Sequence, residues 1–337
     1  MKNTFGNNIT LTLFGEGQGP SAGIVIDGLT PGVEVNEDTI REFLAKRNPE
    51  PLLEEEKFEP DNFGIISGVF NGKATGAPLC IIVPIRDEDP ADYDQLKNTP
   101  RPSHADYAAM KKYHNFQDYR NDGHFSGRIT SALLAAGGIL IPALQKKGIT
   151  VESRIVKMGT SNNPLHFDSE LLVAAANGDT IGGVVKTVIN GVPAGLGEPW
   201  FDSLESLISH AVFSIGGVKG IEFGMGFAFA DMTGTQANDS IRITEGKIVT
   251  SSNNNGGING GISNGMPIVF KTAVKPSPSV EKEQSTVNLA TGENVKIKLS
   301  VGNDPAIVRR VPPIIDVLAA HVITDALVSH YGTDYLL

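Results

Sequence analysis

Runs of apolar residues predict two successive groups of β-strands along this chain. The runs lie at residues 10–13, 22–26, 64–70 and 78–84 in the first half, and at 149–158, 182–190 and Ile268–Val274 in the second half. The dipeptide Asn71-Gly72 stands between the last two runs of the first half and is a strong signal for a tight hairpin turn. The two halves of the chain therefore echo each other, which indicates an internal repeat of strands and helices.

Apolar residues at helical spacing predict helices between and after these strands. The first helix begins after a capping Asn36 or Asp38 and ends near Arg47. Further helices are expected at residues 126–144, 168–177, Leu204–Val212 and 312–328. The longest apolar run, residues 132–144, is too short to span a bilayer, so we interpret it as a core helix and expect no membrane association.

The composition is that of a soluble globular protein. The chain has 337 residues, of which 40% are hydrophobic and 20% charged, and its formal net charge of −10 argues against general nucleic-acid binding. The single cysteine, Cys80, allows no internal disulfide, and the N-terminal residues lack the charged and apolar segments of an export signal. We therefore expect one compact domain over residues 1–337 in the cytoplasm, with no metal site.

A glycine- and asparagine-rich stretch at residues 253–279 is the most unusual local sequence. Its glycines include Gly256, Gly257, Gly260, Gly261 and Gly265, and the stretch then turns apolar and basic. Glycine permits positive φ and close approach of backbone or of a flat ligand. The stretch therefore indicates either a backbone that contacts a ligand or a set of turns and tight packing.

Residues 101–128 carry the densest set of chemically capable side chains. They include three of the seven histidines and three arginines. His104 is followed closely by Asp106 near a helix start, where hydrogen bonding can fix the imidazole tautomer, so His104 is a candidate catalytic group or a structural histidine. Arg120 and Arg128 flank the start of the next helix, which indicates either an anion site or a solvated basic helix end.

Several ordered motifs resemble those of the chorismate synthase family over essentially the whole chain. They are SGVFNGKATGAP at 67–78, RPSHADY at 101–107, DYR at 118–120, VPAGLGEP at 192–199, KGIEFG at 219–224, GGINGGISNG at 256–265 and AVKPSPS at 273–279. The resemblance implies an α+β fold, a β-α-β sandwich with helices between antiparallel sheets, which matches the repeated halves of the chain.

The same resemblance implies a reaction and its cofactor. Members of the family convert 5-enolpyruvylshikimate 3-phosphate into chorismate by 1,4-anti elimination of phosphate and a C6 proton. They use reduced FMN, which ends unchanged, and NADPH is a candidate reductant. The resemblance also implies a homotetramer and a small phosphorylated substrate, for which local arginines would supply the positive charge.

Carried over motif by motif, the resemblance assigns roles to individual residues. Two family residues with catalytic roles are present: His104, which serves the leaving phosphate, and Asp304, which is associated with flavin N5 and proton abstraction. Substrate-binding arginines correspond to Arg47, Arg120 and Arg128. Positions of the flavin site correspond to Ser126, Gly216, Gly217, Gly260, Lys275, Pro276, Ser277, Pro278, Ser279 and Asn303.

The chain departs from the family pattern at the first catalytic motif. The family has Gly-Glu-Ser-His-Gly, whereas this chain has GEGQG at 15–19, so Gln18 stands at the position of a catalytic histidine and cannot titrate near neutral pH. Other departures are His124-Phe125 in the central motif, Gly216-Gly217 at a flavin contact and Asn303 before Asp304. Two function classes remain open: a divergent chorismate synthase, and an altered paralogue that binds flavin or another anion without making chorismate.

Overall fold

The structure is a computed structural model that describes residues 2–49, 51–52, 62–85, 90–299 and 304–337. Asn303, predicted at the flavin site, lies outside the described residues. Within this part of the chain, two larger antiparallel sheets and several short hairpins surround a layer of apolar helices.

The first sheet is built by the N-terminal third of the chain. Its strand order over the described residues is β1-β2-β3-β7-β4, with every neighbouring pair antiparallel. These strands are β1 (Thr4–Phe5), β2 (Thr10–Phe14), β3 (Ser21–Asp27), β4 (Gly64–Ser67) and β7 (Leu79–Pro84), and a hairpin of β5 (Val69–Phe70) and β6 (Lys73–Ala74) lies between β4 and β7 in the chain.

The second sheet uses strands from the second half. Its order is β10-β15-β9-β8, again antiparallel throughout. These strands are β8 (Thr150–Met158), β9 (Gly183–Asn190), β10 (Val218–Phe223) and β15 (Ile268–Val274). Separate hairpins are formed by β11 (Ile241–Thr244) with β12 (Lys247–Thr250), β13 (Ile258–Asn259) with β14 (Ile262–Ser263), and β16 (Gln284–Asn288) with β17 (Glu293–Ile297).

The helices between the two sheets carry the core. The α-helices are α1 (Glu37–Ala45), α2 (Asp106–Lys112), α3 (Thr130–Gln145), α4 (Phe167–Ala176), α5 (Leu204–Val212), α6 (Gly234–Ala237) and α7 (Val311–Tyr331). Helix α3 packs against β3 and β7, α7 packs against β8 and β9, and the two helices pack on each other. The predicted sandwich, with helices between antiparallel sheets, is confirmed.

Two of these apolar helices are long enough, with the turns before them, to cross a membrane by length and composition alone. They correspond to Arg120–Gln145 and Ile307–Tyr331, and 78% of the apolar window of each is buried inside the protein. Both lie in one hydrophobic core that includes residues of both sheets. They are therefore core helices, as the sequence predicted for the first of them.

Most of the predicted elements are present, with one changed connection. The strand Ile268–Val274 and the helix Leu204–Val212 have the predicted bounds, and Asn36 caps α1 by accepting hydrogen bonds from the amides of Asp38 and Thr39. Asn71-Gly72 does form a tight turn with positive φ at both residues, but the turn joins the short strands β5 and β6. The predicted run at 64–70 is interrupted at Gly68, where φ is +87°.

The N-terminal segment is fastened to the C-terminal half of α7. The carboxylate of Asp325 accepts hydrogen bonds from the backbone amides of Asn7, Asn8 and Ile9 at 2.9, 2.7 and 2.8 Å. The Nε2 of His321, which is fully buried, donates to the carbonyl of Ile9 at 2.7 Å. Burial lowers the pKa of His321, against the opposing effects of the Ile9 carbonyl and Asp325. The imidazole is therefore held neutral in the folded protein.

We expect stability to fall at mildly acidic pH because of His321. Its ordinary pKa is 6.5, so the unfolded chain takes up a proton below that pH while the folded protein does not. The free energy of unfolding, measured in urea, should therefore fall by up to about 1.4 kcal/mol per pH unit below about pH 6.5.

This fall should be smaller in His321→Gln, which cannot titrate. The control is His330→Gln, which removes an exposed histidine on the same helix and should keep the wild-type pH dependence. An unchanged pH dependence in His321→Gln would contradict this account of the buried imidazole.

Candidate functional site

The loop at residues 14–20 packs on the turn at 120–125, so the two form one structural unit. The amide of Gly17 donates to the carbonyl of Gly123 at 2.7 Å, and Asn121 Nδ2 donates to the carbonyl of Gly17 at 3.1 Å. His124 Nδ1 donates to the carbonyl of Gly15 at 2.7 Å. Gln18 is half-buried in this loop, directly after Gly17. The structure therefore places Gln18 beside the central motif.

Close contact at Gly17 requires glycine. A β-carbon there would overlap the carbonyl oxygen of Asn121 and would lie 2.8 Å from Cβ of Ser126. The opposing turn has positive φ at three successive residues, Asn121 (45°), Asp122 (65°) and Gly123 (53°). The serine that the family pattern places at position 17 would not fit this turn.

Arg101, His104, Asp106 and Asp122 form the centre of the site, which we call the His104 cluster. His104 Nδ1 lies 2.5 Å from Asp106 Oδ1, and His104 Nε2 lies 3.5 Å from Asp122 Oδ1. Arg101 Nη2 lies 2.8 Å from Asp106 Oδ1 and 2.5 Å from Asp122 Oδ1. Because a carboxylate only accepts, Nδ1 donates its proton to Asp106 and Nε2 faces Asp122.

Charge pairing dominates the electrostatics of the cluster. Burial opposes the charge of Asp106, but hydrogen bonds from Arg101 and His104 outweigh it and hold the pKa of that carboxyl below its usual range. Burial likewise opposes the charge of Arg101, but Asp106 and Asp122 hold the pKa of its guanidinium above its usual range. Both groups therefore stay ionised, and Arg101 Nη2 occupies the point between His104 Nδ1 and the two carboxylates that a bound cation would take.

The segment at 275–279 packs directly on this cluster. Lys275 Nζ donates to the carbonyl of Ser103 at 2.6 Å, and Arg101 Nη1 donates to Ser279 Oγ at 3.2 Å. The carbonyl of Ser277 accepts from Thr180 Oγ1 at 2.7 Å. Pro276 and Pro278 lie between these anchored residues. The predicted flavin segment and the predicted catalytic histidine thus belong to one site.

Lys219 and Lys275 create a local positive region next to the His104 cluster. Burial, and then the nearby charge of Lys219, lower the pKa of Lys275. The carbonyl of Ser103 accepts a hydrogen bond from Lys275 but carries no compensating charge. An anionic ligand group at Lys219 and Lys275 would relieve their mutual repulsion.

Gly216 and Gly217 lie beside the backbone of Lys275. The Lys275 amide donates to the Gly217 carbonyl at 2.9 Å, and a β-carbon at Gly217 would lie 2.9 Å from Ile307 Cδ1. Gly216 is exposed, and a β-carbon there would meet no atom within 4 Å. The backbone on this side is therefore open to a ligand.

Asp304 is held in place by Arg310. Its Oδ2 accepts from Arg310 Nε at 2.6 Å, and its Oδ1 accepts from the Ala306 amide at 3.0 Å. Arg310 Nη1 also donates to Asn48 Oδ1 at 3.3 Å. Asn48 directly follows Arg47 in the chain. The segment that follows α1 and the residues around Asp304 therefore meet at Arg310.

Arg120, Arg128 and Ser126, which were predicted to bind ligands, have contacts within the protein. Arg120 forms a two-point ion pair with Asp118, at 2.9 Å from Nε and 2.8 Å from Nη2, and hydrogen bonding to Asp118 raises the pKa of Arg120. Ser126 is buried, and its Oγ accepts from the Arg128 amide at 3.3 Å, which caps a short 3₁₀ turn. Their ligand roles stay predictions.

The glycine-rich stretch forms turns and tight backbone packing. Gly260 and Gly261 are the two turn residues of the hairpin β13–β14, with φ of 61° and 90°. Gly261 packs on the Glu198 carbonyl, and Gly256 packs on the Val269 carbonyl, 2.6 Å from where its β-carbon would lie. A β-carbon at Gly260 would meet no atom within 4 Å, so its contact with a flavin stays a prediction. Among the described residues, the hydrogen bonds that link this hairpin to other elements go to the loop before α5 and to the start of α5. They do not go to the His104 cluster.

The sequence did not single out Arg101 or Asp122 as site residues. Asp106 was predicted only as a group that could orient His104, and the spacing of the two residues was its signal. Asp122 reaches Arg101 and His104 through the left-handed turn at 121–123. The residues Asn121-Asp122-Gly123 favour such a turn, but they do not indicate which side chains the turn contacts.

The chain is similar to known proteins over nearly its whole length. A family model described as chorismate synthase matches residues 9–328. Similar proteins named chorismate synthase include one from Thermococcus kodakarensis, 40% identical, and one from Chitinophaga pinensis, 42% identical, each alignment covering 96% of both chains. A crystal structure described as chorismate synthase has a TM-score of 0.77 and 24% identity, covering 98% of this chain and 95% of that one, and supports the fold.

We expect Gly17→Ser to destabilise the protein by about 1–3 kcal/mol, because the new side chain must displace Asn121. The free energy of unfolding in urea would measure the loss. The matched control is Gly234→Ser, at an exposed position where a β-carbon would meet no atom within 4 Å. Equal stability of the two variants would show that the loop adapts without cost.

Proposed function

The chain belongs to the chorismate synthase family, and we propose on that premise that it converts 5-enolpyruvylshikimate 3-phosphate into chorismate with reduced FMN. The observation that supports the proposal is that the segment at 275–279 lies next to His104: Lys275 Nζ donates a hydrogen bond to the carbonyl of Ser103, the residue before His104. A titratable imidazole and a positive region for anions lie side by side there. Elimination of a phosphate needs both.

His104 is proposed to assist the leaving phosphate. Asp106 accepts the Nδ1 proton at 2.5 Å and so fixes the orientation of the ring. The Nε2 atom, which faces Asp122, is then the ring atom from which a proton can be donated to a phosphate oxygen as the carbon–oxygen bond breaks. Arg101, which is ionised and buried, supports this orientation through its own pairing with Asp106.

The residues around Lys275 fit a flavin phosphate and ring. Lys219 and Lys275 supply two neighbouring positive charges, and Gly216 offers exposed backbone with no side chain to exclude a flat ligand. When bound, reduced FMN supplies an electron-rich ring beside the substrate. Pro276 and Pro278 restrict the backbone of the segment that would hold it.

Asp304 and Gln18 are proposed to act beside the ring and the substrate. Asp304 is the carboxylate proposed to take part in removal of the C6 proton, and its ion pair with Arg310 fixes its position. Gln18 can donate and accept hydrogen bonds but cannot exchange a proton near neutral pH. Its proposed role is therefore to orient a ligand.

Assembly and location complete the proposal. Ile241, Ile243 and Ile248 on the hairpin β11–β12 are each about three-quarters exposed, at 75, 78 and 74%. Such an apolar surface supports association between copies of the chain, as a homotetramer requires. NADPH as reductant and a cytoplasmic location accompany the proposed activity.

We expect His104→Ala to lower chorismate formation by about 10²-fold or more, because a positioned proton donor contributes that much to a rate. The assay is anaerobic, with reduced FMN and the phosphorylated substrate, and flavin binding is followed in parallel. His166→Ala removes an exposed histidine outside the site and should retain wild-type turnover.

Equal turnover of His104→Ala and the wild type would remove His104 from the mechanism. If the wild-type protein binds both ligands without forming chorismate, the altered paralogue becomes the better description.

We expect Gly260→Val to weaken binding of reduced FMN, since a β-branched side chain would stand on the proposed approach surface. Gly246→Val is the matched control: Gly246 also has positive φ in a hairpin turn and no atom within 4 Å of a β-carbon, but lies in the turn of β11–β12. Anaerobic fluorescence titration of the flavin would compare them. Equal affinities in both variants would assign Gly260 to the turn alone.

A further inference from the structure

We propose that the carboxylate of Asp122 is an internal anion that lies where a phosphate oxygen would bind, beside Arg101 and His104, and that it thereby weakens binding of phosphate-bearing ligands. This inference rests on the proposed function, because that function assigns the leaving phosphate to His104. The inference adds Asp122 as a residue that sets the affinity of the site for phosphate.

One oxygen of Asp122 faces both Arg101 and His104. Its Oδ1 lies 2.5 Å from Arg101 Nη2 and 3.5 Å from His104 Nε2. Since Nδ1 is engaged by Asp106, Nε2 is the ring atom left for a substrate. A phosphate oxygen bound to Nε2 would have to take the place that Asp122 Oδ1 now holds.

The backbone holds Asp122 at this point independently of its side chain. The turn is left-handed at 121–123. The side chain of Asn121 is fixed by two hydrogen bonds: its Nδ2 donates to the Gly17 carbonyl, and its Oδ1 accepts from the Tyr93 hydroxyl at 3.3 Å. The Gly123 carbonyl is fixed by the Gly17 amide. Aspartate is among the non-glycine residues that tolerate such a conformation. The carboxylate is therefore presented to His104 by the fold.

The carboxylate can leave without dismantling the cluster. Asp122 has 27% of its side chain exposed, whereas Arg101 has 5%. Arg101 keeps Asp106, which accepts from both Nε and Nη2 at 2.9 and 2.8 Å. Rotation of Asp122 toward solvent would thus open Nε2 and leave the buried guanidinium paired. A phosphate dianion that enters must displace this carboxylate or bind beside it, and both are unfavourable.

The test measures binding of inorganic phosphate to the full chain. Titration is followed through the NMR signals of the His104 ring, assigned by their loss in His104→Ala. Asp122→Asn and Asp122→Gly both remove the charge, and both residues suit the positive φ of this position, so each should fold. We expect the dissociation constant for phosphate to fall about tenfold in both variants, because a like charge within ion-pair distance is removed.

The control for net charge is Glu34→Gln. It removes an exposed carboxylate that pairs with Lys146 at 2.6 Å, outside the site, and should leave the phosphate affinity unchanged. Unchanged or weaker phosphate binding in both Asp122 variants would overturn the inference. An equal gain in Glu34→Gln would also overturn it, since net charge would then be the cause.

A chorismate assay on the same variants separates this inference from the proposed function. Tighter phosphate binding without any chorismate formation would support the role of Asp122 and contradict the proposed activity. Chorismate formation with unchanged phosphate affinity and unchanged KM would support the proposed activity and contradict the role of Asp122.

Discussion

The guanidinium of Arg101 is the interaction on which the site depends. It is almost fully buried, and its two terminal nitrogens contact Asp106, Asp122, His104 and Ser279. A buried charge is costly unless it is paired and hydrogen-bonded, and the two-point contact with Asp106 keeps Arg101 paired even when Asp122 turns away. Because the partners come from three separate segments of the chain, pairing of this one group joins those segments into a site.

A second constraint brings the N-terminal loop to the same place. Gly17 has no side chain, and only this absence allows its backbone to exchange hydrogen bonds with Asn121 and Gly123. The left-handed turn that results is what aims Asp122 at Arg101. The departure from the family motif at Gly17 and Gln18 is therefore structurally linked to the turn that presents Asp122, rather than an isolated loss of a catalytic residue.

Hydrophobic periodicity sufficed for most of the fold, because burial of one face determines both strands and helices. It gave Ile268–Val274 and Leu204–Val212 with their observed bounds. It misjudged the partners of the turn at Asn71-Gly72, since the interruption at Gly68 depends on close packing against Leu79, which is not local in sequence. For the site, the motifs indicated His104 and Lys275, but not that Lys275 donates to Ser103 or that Asp122 lies at Nε2. Those contacts depend on tertiary packing and on backbone conformations that glycine and aspartate permit but do not require.

The proposed substrate is anionic although the protein has a net charge of −10, and the distribution of charge at the site is compatible with this. In the His104 cluster, two carboxylates face one guanidinium, so the cluster carries a surplus negative charge that a protonated His104 would neutralise. Lys219 and Lys275, a short distance away, carry positive charge and form no ion pair with a carboxylate of the described residues. Long-range attraction of an anion is therefore supplied by the lysines, while the cluster itself resists a second negative charge until Asp122 moves away. A site arranged in this way would attract a phosphorylated substrate at one end and release inorganic phosphate readily at the other, because the carboxylate of Asp122 returns to the donors that the phosphate leaves.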